Sequence, residues 1–277
     1  MDLSDSLLNM TCTLVTAYYP IPSKASQNTY LTWAKKYMTL ESPIVLFTTP
    51  ELEPTFKLMR GDKPLYIIAK PFEELEMWKL YKSVWKAHHA LDPEKHRHSP
   101  ELYAIWAQKS GFVRDVWQLN PFKTEYFFWC DIGAFRGNIP ESVRLTFPMV
   151  RHLPDDRILM SSVRRFQGEG MGDQLVGGLW GGSGAGCYRW HLAYCYMLSK
   201  YIHRRQFAGK DQTVMLSAYL ADTSLAYIVC PGDDVIVNDV QEYNILLEKI
   251  QVNSWFFLQI LLSDTGVKYQ LDESYNI

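Results

Sequence analysis

The 277-residue chain lacks an excess of charge of either sign, and it lacks a long hydrophobic run. Its 28 Lys and Arg nearly balance 30 Asp and Glu, and the formal net charge of −2 gives no electrostatic reason to expect a nucleic-acid partner. The longest uncharged apolar stretch, residues 250–263, is too short to cross a bilayer. The first ten residues lack the basic start and apolar core of a signal peptide. These absences predict a soluble, cytoplasmic chain with no transmembrane segment.

The chain has few cysteines, and none of them belongs to a C-x-x-C motif. This absence and the odd number of cysteines, five, argue against a disulfide framework or a zinc site. Four of them lie in apolar stretches, which is typical of small buried hydrophobes in a reducing compartment. The cysteines are Cys12, Cys130, Cys187, Cys195 and Cys230. A glycosylation sequon at residues 9–11 keeps a second localisation open: the lumen of the Golgi or ER, if an N-terminal anchor has been removed.

Three nucleotide- and hydrolase-type motifs are incomplete. A phosphate-binding loop would need Ser or Thr after Gly209-Lys210, where the chain has Asp211. The third glycine of a dinucleotide fingerprint starting at Gly182 falls on Cys187. A serine elbow at Ser183 would need an acid and then a histidine further along, but no Asp or Glu lies between Ser183 and the last histidine, His203. These gaps argue against a P-loop NTPase, a dinucleotide enzyme and an α/β-hydrolase.

Short apolar strands alternate with helical segments through most of the chain. Apolar runs of strand length occur at residues 11–17, 43–47, 65–68, 127–130, 158–163, 175–180 and 225–230. Helical periodicity occurs at residues 29–38, 72–88, 99–119, 184–202 and 211–220, with a break near Gly111. The polar stretch 91–99, which carries His96 and His98, is expected to be a solvated loop. The alternation predicts an α/β fold with one sheet flanked by helices in a single domain.

One carboxylate directly follows the most apolar of these strands. The run Phe-Phe-Trp-Cys at 127–130 is typical of a strand buried on both faces, and Asp131 comes next, two positions before Gly133. The carboxyl ends of strands form the rim where open α/β sheets bind ligands. A carboxylate there can accept a ribose hydroxyl or hold a divalent metal that carries a diphosphate. The alternative is an aspartate that only starts a turn.

Two further segments are candidates for chemistry. Residues 177–186 contain Gly177, Gly178, Gly181, Gly182 and two more glycines, and we expect them to connect a strand to a helix. Glycine lets the backbone approach a ligand closely, and the following helix start would favour an anionic or hydroxyl-rich ligand. The alternative is a tight crossover.

The second segment is Gly209-Lys210-Asp211-Gln212, which opens an apolar helix. Asp211 is either a functional carboxylate or a plain capping residue.

These features occur in an order that resembles the HtrL/YibB-like family, which is related to GT-A-fold nucleotide-sugar glycosyltransferases. The matching segments are 13–19, 30–35, 99–109, 120–122, 129–136, the double-glycine segment and 209–212. The resemblance implies a GT-A-like Rossmann-type mixed sheet, with a nucleotide-binding half over residues 1–136 and an acceptor half over 137–277. It also implies a nucleotide-sugar donor and a glycan, protein or small-molecule acceptor.

The resemblance further assigns roles to particular residues. Thr16, Ala17 and Tyr18 would lie against the base, and Asp131 would be the first carboxylate of a D-x-D motif that holds Mn²⁺ or Mg²⁺. Gly133 replaces the second carboxylate, so a metal there would be held through substrate phosphates, water and another residue, which Asp233 or Asp234 could supply. Asp211 and Gln212 would be the catalytic residues beneath the transferred sugar, where such a group could act as base for the acceptor hydroxyl or stabilise an oxocarbenium-like transition state. The remaining donor-binding candidates are Lys109, Arg114 and Arg136 for the diphosphate, and Gly177, Gly178, Gly181 and Gly182 for the sugar pocket.

Three hypotheses follow. The first is a glycosyltransferase that uses a nucleotide sugar, with a UDP-sugar as the expected donor. The second is a catalytically inactive relative that binds a glycan or nucleotide, which Gly133 favours. The third is an α/β protein of unrelated function, in which Asp131 starts a turn and Asp211 caps a helix.

Overall fold

A seven-stranded sheet forms the centre of the molecule, with strand order β3-β2-β1-β4-β6-β5-β7. The computed structural model describes residues 12–150, 156–163, 174–229, 235–237, 258–259, 262–263 and 267–269. The strands are β1 (Cys12–Tyr18), β2 (Ile44–Thr48), β3 (Leu65–Ala69), β4 (Tyr126–Cys130), β5 (Ile158–Ser162), β6 (Leu175–Ser183) and β7 (Ala226–Val229). A separate antiparallel pair consists of β8 (Val235–Val237) and β9 (Val267–Tyr269).

Helices connect the strands. They are α1 (Gln27–Tyr37), α2 (Glu53–Arg60), α3 (Glu76–His89), α4 (Pro100–Leu119), α5 (Glu141–Thr146), α6 (Gly184–His203) and α7 (Asp211–Ala221). Short 3₁₀ turns cover Pro50–Leu52, Phe72–Glu74 and Thr223–Leu225. None of the helices in these ranges is long and apolar enough to span a membrane.

The sheet is mixed, and its direction changes beside β4. Strands β3, β2, β1 and β4 are parallel, with Ala17 opposite Phe47 and Val15 opposite Trp129. Strand β6 runs antiparallel between β4 and β5, and β7 is parallel to β5. Successive strands pass from β1 outward to β3 and then return to the other side of β1. The crevice between the ends of β1 and β4 is therefore the topological switch point of the sheet. The predicted α/β class with a mixed, helix-flanked sheet is confirmed.

Alternate residues of the central strands face two different cores, as the period of a strand requires. Val15 and Trp129 join the larger core, which is covered by α3, α4, α6 and α7. Leu14 and Phe128 join the second core, beneath α1, α2 and α5. The described cysteines are free thiols, and all but Cys195 are buried, as the composition predicted; Cys230 lies outside the described residues.

Three local predictions were wrong. The strand predicted over residues 175–180 is longer than expected, because β6 continues to Ser183 and includes Gly181 and Gly182, which were expected in the connection to the next helix. Helix α4 runs through Gly111 without the predicted break, because its buried packing on both sides of that residue outweighs the low helix propensity of one glycine. His98 is buried rather than solvated, with its Nδ1 2.7 Å from Asp92 Oδ2.

Candidate functional site

A cleft of about 410 Å³ opens at the switch point between β1 and β4. Its walls come from the end of β1 and the loop after it, from the first turns of α4, and from the end of β4. Residues lining it include Ala17, Tyr18, Pro20, Pro22, Tyr30, Trp106, Lys109, Trp129, Asp131, Gly133, Arg136, Gly178 and Gln259. The cleft is thus lined mainly by aromatic and other apolar side chains with a small number of charged groups, which is the usual composition of a small-molecule site.

The aromatic wall is held by ring contacts. Tyr18 packs against Tyr30 with ring centroids 6.1 Å apart, and Tyr30 packs edge-on against Trp33 at 5.2 Å. Burial and the neighbouring Tyr30 raise the pKa of Tyr18 to about 12, so that its hydroxyl stays neutral. On the opposite side, Lys24 Nζ lies 5.1 Å from the centre of the Trp106 ring. Flat rings of this kind can stack on a base or a sugar.

Asp131 is fixed at the end of β4 and is still accessible. Its backbone N–H donates to the carbonyl of Gly178 at 2.8 Å, and its own carbonyl accepts from the N–H of Ala134. The Trp129 indole donates to Asp131 Oδ1 at 2.7 Å. With the Asp131 side chain 43% exposed, the carboxylate has room to accept a ligand hydroxyl.

Lys109 reaches the cleft from inside helix α4. Its ammonium donates to the carbonyl of Gly177 at 2.8 Å and pairs with Asp211 Oδ2 at 2.9 Å and Asp131 Oδ1 at 3.2 Å. Burial acts to lower the pKa of Lys109, but Asp131 and Asp211 outweigh it and raise the pKa above its usual value. The site therefore contains a buried positive charge with two carboxylates and one main-chain carbonyl within 3.2 Å.

Asp211 lies behind this lysine. It is the first residue of α7, its side chain is 5% exposed, and its Oδ1 accepts the N–H of Gln212 at 3.0 Å. Burial raises the pKa of Asp211, and the Lys109 ammonium opposes that rise. A side chain at position 177 would crowd this carboxylate, because its Cβ would lie 2.8 Å from Asp211 Oδ2. Asp211 contacts the cleft only through Lys109.

Position 133 is closed to a side chain by Trp33. A Cβ built on Gly133 would lie 2.9 Å from Trp33 Cε3. The outer part of the same indole lies under the Arg136 guanidinium, 4.5 Å from the ring centre, and Arg136 Nε donates to the carbonyl of Gly133 at 3.2 Å. At the place where D-x-D has its second carboxylate, this chain therefore has a glycine covered by an indole and a guanidinium.

The structure gathers only some of the predicted site residues. Ala17, Tyr18, Lys109, Asp131, Gly133, Arg136 and Gly178 line the cleft, and Gly177 and Asp211 contact it through Lys109. Thr16 is buried within β1, Gly181 and Gly182 pack against neighbouring strands, and Gln212 Nε2 donates to the carbonyl of Leu175. Arg114 lies between α4 and α6 and contacts Glu76, Asp115 and His191. Asp233 and Asp234 lie outside the described residues.

The sequence-based candidates omitted several lining residues, among them Tyr30, Trp106, Trp129 and Gln259. Tyr30 and Trp106 carried a signal, because both lie in segments of the family resemblance. Trp129 stands two residues before Asp131 and could have been chosen from that spacing. Gln259 gave no signal: it reaches the site from far along the chain and donates to the carbonyl of Ala134 at 3.1 Å.

The described residues around Asp131 do not suit a divalent metal. Within the described part of the chain, no group of three or more His, Cys, Asp or Glu side chains could hold an ion. The carboxylate nearest the cleft already has the Lys109 ammonium 3.2 Å away, and a hard cation at that place would face like charge. The prediction that Asp131 binds Mn²⁺ or Mg²⁺ therefore has no supporting ligand set among these residues.

The fold is a doubly wound α/β sheet with a cleft at its switch point. No family model and no curated protein sequence matches the chain. Among solved structures, it is similar to the galactosyltransferase LgtC in complex with donor and acceptor sugar analogues, at 12% identity over 94% of this chain and 87% of that one, with a TM-score of 0.47. It is also similar to the PaToxG glycosyltransferase, at 10% identity over 98% and 88% of the two chains, with a TM-score of 0.39. A third similarity is to 4-diphosphocytidyl-2C-methyl-D-erythritol synthase from Anaerococcus prevotii, at 9% identity over 80% and 87%, with a TM-score of 0.36. Similarities this low assign neither a family nor an activity.

Proposed function

We propose that the chain is a glycosyltransferase that takes a sugar from a nucleotide-sugar donor, with a UDP-sugar as the first candidate. One observation carries the proposal. At the switch point of the sheet, an accessible carboxylate, Asp131, lies beside a buried ammonium, Lys109, at the floor of an aromatic cleft. A nucleoside diphosphate has a flat base, ribose hydroxyls and a negatively charged diphosphate, and these are complementary to the three parts of the cleft.

The nucleoside part would occupy the end nearer β1. Ala17 and Tyr18 end this strand, and the rings of Tyr18 and Tyr30 offer flat surfaces for the base. Asp131 would accept a hydrogen bond from a ribose hydroxyl, for which its side chain, 43% exposed, is accessible. A carboxylate in this role needs no proton transfer, only a fixed position, which the Trp129 indole provides.

The diphosphate would lie against Lys109 and Arg136, the two cations that line the cleft. In glycosyl transfer, the bond between the anomeric carbon and the diphosphate oxygen breaks, a bond to the acceptor oxygen forms, and the proton of the acceptor hydroxyl passes to the leaving diphosphate or to solvent. Negative charge develops on the leaving diphosphate, and cations held in place stabilise it more effectively than water does. We assign Asp211 the role of holding Lys109, because its side chain is buried behind that ammonium. Gln212 in turn fixes the start of β6.

Calorimetric titration with UDP, GDP and CMP, with and without Mn²⁺, tests the donor site. We expect one nucleotide to bind the wild type and to bind Asp131→Asn at least about tenfold more weakly, a loss of about 1.4 kcal/mol. Asp131→Asn should still fold, because nearly half of the Asp131 side chain is exposed. Asp62→Asn, at an exposed position beyond α2, is the matched control and should bind as the wild type does.

Turnover separates the remaining hypotheses. Hydrolysis or transfer from a UDP-sugar that Asp131→Asn abolishes would support the enzyme, whereas full turnover by that variant would remove the central claim. Nucleotide affinity without any turnover would favour the inactive binding module, for which Gly133 is the sequence argument. Failure of every nucleotide to bind would leave an α/β protein of unrelated function.

A further inference from the structure

We propose that the Lys109 ammonium takes the place of a divalent metal in this site, and that the chain binds the diphosphate of its donor without one. The inference rests on the proposed function, because it concerns how the same cleft holds its ligand. It departs from the expectation of Mn²⁺ or Mg²⁺ that the D-x-D resemblance raised.

The Lys109 ammonium lies where a metal ion would have to bind. Lys109 Nζ lies 3.2 Å from Asp131 Oδ1 and 2.9 Å from Asp211 Oδ2, so it occupies the space between the two carboxylates nearest the cleft. A metal shared by these carboxylates would need that same space. The lysine cannot easily leave it, since its side chain is only 6% exposed and its third donor binds the carbonyl of Gly177.

Position 133, where a D-x-D motif has its second carboxylate, is occupied by a glycine that packs against Trp33. The Trp33 ring excludes a carboxylate there, and the same ring supports the Arg136 guanidinium at 4.5 Å. The Arg136 guanidinium thus lies on the same wall of the cleft as this glycine. The absence of a carboxylate at position 133 and the presence of Arg136 both make this wall more positive, where a diphosphate needs positive charge.

On donor binding, Lys109 would exchange its contact with Asp131 for a contact with a phosphate oxygen. Asp131 is the only one of its two carboxylate partners with a substantially exposed side chain, 43% against 5% for Asp211. When Asp131 accepts a ribose hydroxyl, the N–H that it shared with Lys109 can turn to a phosphate oxygen. The bonds to Asp211 and to the carbonyl of Gly177 then keep the ammonium in position.

The test compares UDP with uridine, because the difference in their affinities isolates the diphosphate. Both are titrated into the full chain in a chelator such as EDTA and again in Mn²⁺ or Mg²⁺, and the GDP–guanosine and CDP–cytidine pairs follow. We expect UDP to bind at least about tenfold more tightly than uridine, with a dissociation constant that the metal changes by less than about twofold.

The variant is Lys109→Met combined with Asp211→Asn, which removes both members of the buried pair and leaves no unpaired buried charge. It should bind uridine as the wild type does and lose most of the preference for UDP. Lys57→Met with Glu53→Gln removes an exposed ion pair on α2 and is the matched control, which should keep that preference. Lys109→Arg retains the charge and should keep part of it; circular dichroism checks that each variant is folded.

The outcomes separate the inference from the proposed function. If EDTA abolishes UDP binding and Mn²⁺ restores it, the inference is wrong and the donor site stands. Equal affinity for UDP and uridine in the wild type, or an unchanged preference in the folded double variant, also overturns it. If neither UDP nor any other nucleotide or nucleoside binds under any condition, the proposed function fails and the inference fails with it. The metal comparison needs no variant, so it decides the question even if the double variant does not fold.

Discussion

Gly133 shows how one missing side chain can reshape a site. Its Cα faces the Trp33 ring closely enough that any Cβ would lie 2.9 Å from Cε3, inside van der Waals contact. The ring cannot move away freely, because Tyr30 packs against its edge and Arg136 lies over its face. Packing against Trp33 therefore favours glycine at this position, whatever the ligand.

We predict that Gly133→Ala lowers the free energy of unfolding by about 1–3 kcal/mol, the usual cost of overpacking. Urea denaturation of the wild type and the variant gives this value. Trp33→Leu removes the obstructing ring, so the same glycine substitution should cost less in that background. Equal costs in the two backgrounds would show that the Trp33 contact is not the cause.

At the scale of secondary-structure elements, β6 separates glycines that pack from glycines that face the site. A Cβ on Gly181 would overlap with backbone atoms of Phe127 and Phe128 in β4, which cannot move without distorting the sheet. A Cβ on Gly178 would meet the Asp131 side chain, 3.3 Å from Oδ2, a tight contact that falls short of the overlap with backbone at Gly181.

We predict opposite phenotypes for alanine at these two positions. Gly181→Ala should lower the free energy of unfolding by about 3 kcal/mol or more, or prevent folding, because it wedges two strands apart. Gly178→Ala should cost about 1 kcal/mol or less and should instead weaken UDP binding by displacing Asp131. Thermal denaturation and calorimetry on both variants check this; a stable Gly181→Ala protein would contradict the packing argument.

The sequence predicted elements more successfully than it predicted contacts. Periodicity located each main strand within a few residues, because alternation and apolar runs are local properties. Periodicity ended β6 too early, because glycine favours loops locally. Only the neighbouring backbone of β4 and β5 explains why glycine is needed there. Periodicity also could not predict the pairing of Lys109 with Asp211, because those residues are far apart in sequence and meet where α4 and α7 pack together.

The molecule as a whole should respond to pH through a histidine outside the cleft. His191 lies between α6 and α4, where Arg114 Nη1 and the Ser110 hydroxyl each lie 3.0 Å from one of its ring nitrogens. Since arginine can only donate, Nε2 must accept, and the ring is neutral. Burial, followed by the Arg114 charge, lowers the pKa of His191 from 6.5 to about 4.

The sign of the effect follows from proton uptake. Between pH 6.5 and about 4, the unfolded chain protonates His191 and the folded chain does not. Acid therefore favours unfolding through this group, and its contribution to the free energy of unfolding falls as the pH falls through that window. We predict that His191→Gln, whose amide can contact both neighbours, shows a shallower decline than the wild type.

Urea denaturation across that pH range measures the decline. His203→Gln, at the exposed end of α6, is the control and should decline as the wild type does. Parallel curves for the wild type and His191→Gln would refute the assignment.

At the same scale, the boundary at residue 136 between a nucleotide half and an acceptor half stays a prediction. The main sheet crosses that boundary, because β4 from the first half pairs with β6 from the second. Cys130 lies opposite Leu179, so the end of β4 and the early part of β6 meet at the floor of the cleft. The site is thus built jointly by both halves of the chain.

The third acceptor of Lys109 has a consequence for how this site can change over evolutionary time. Asp131 and Asp211 are side-chain partners, and a single base change in either codon can remove one of them. The carbonyl of Gly177 belongs to the main chain, so it survives any substitution that leaves β6 in place. Mutation can therefore change the charge around Lys109, while its hydrogen bond to the main-chain carbonyl of residue 177 is kept as long as the fold is kept.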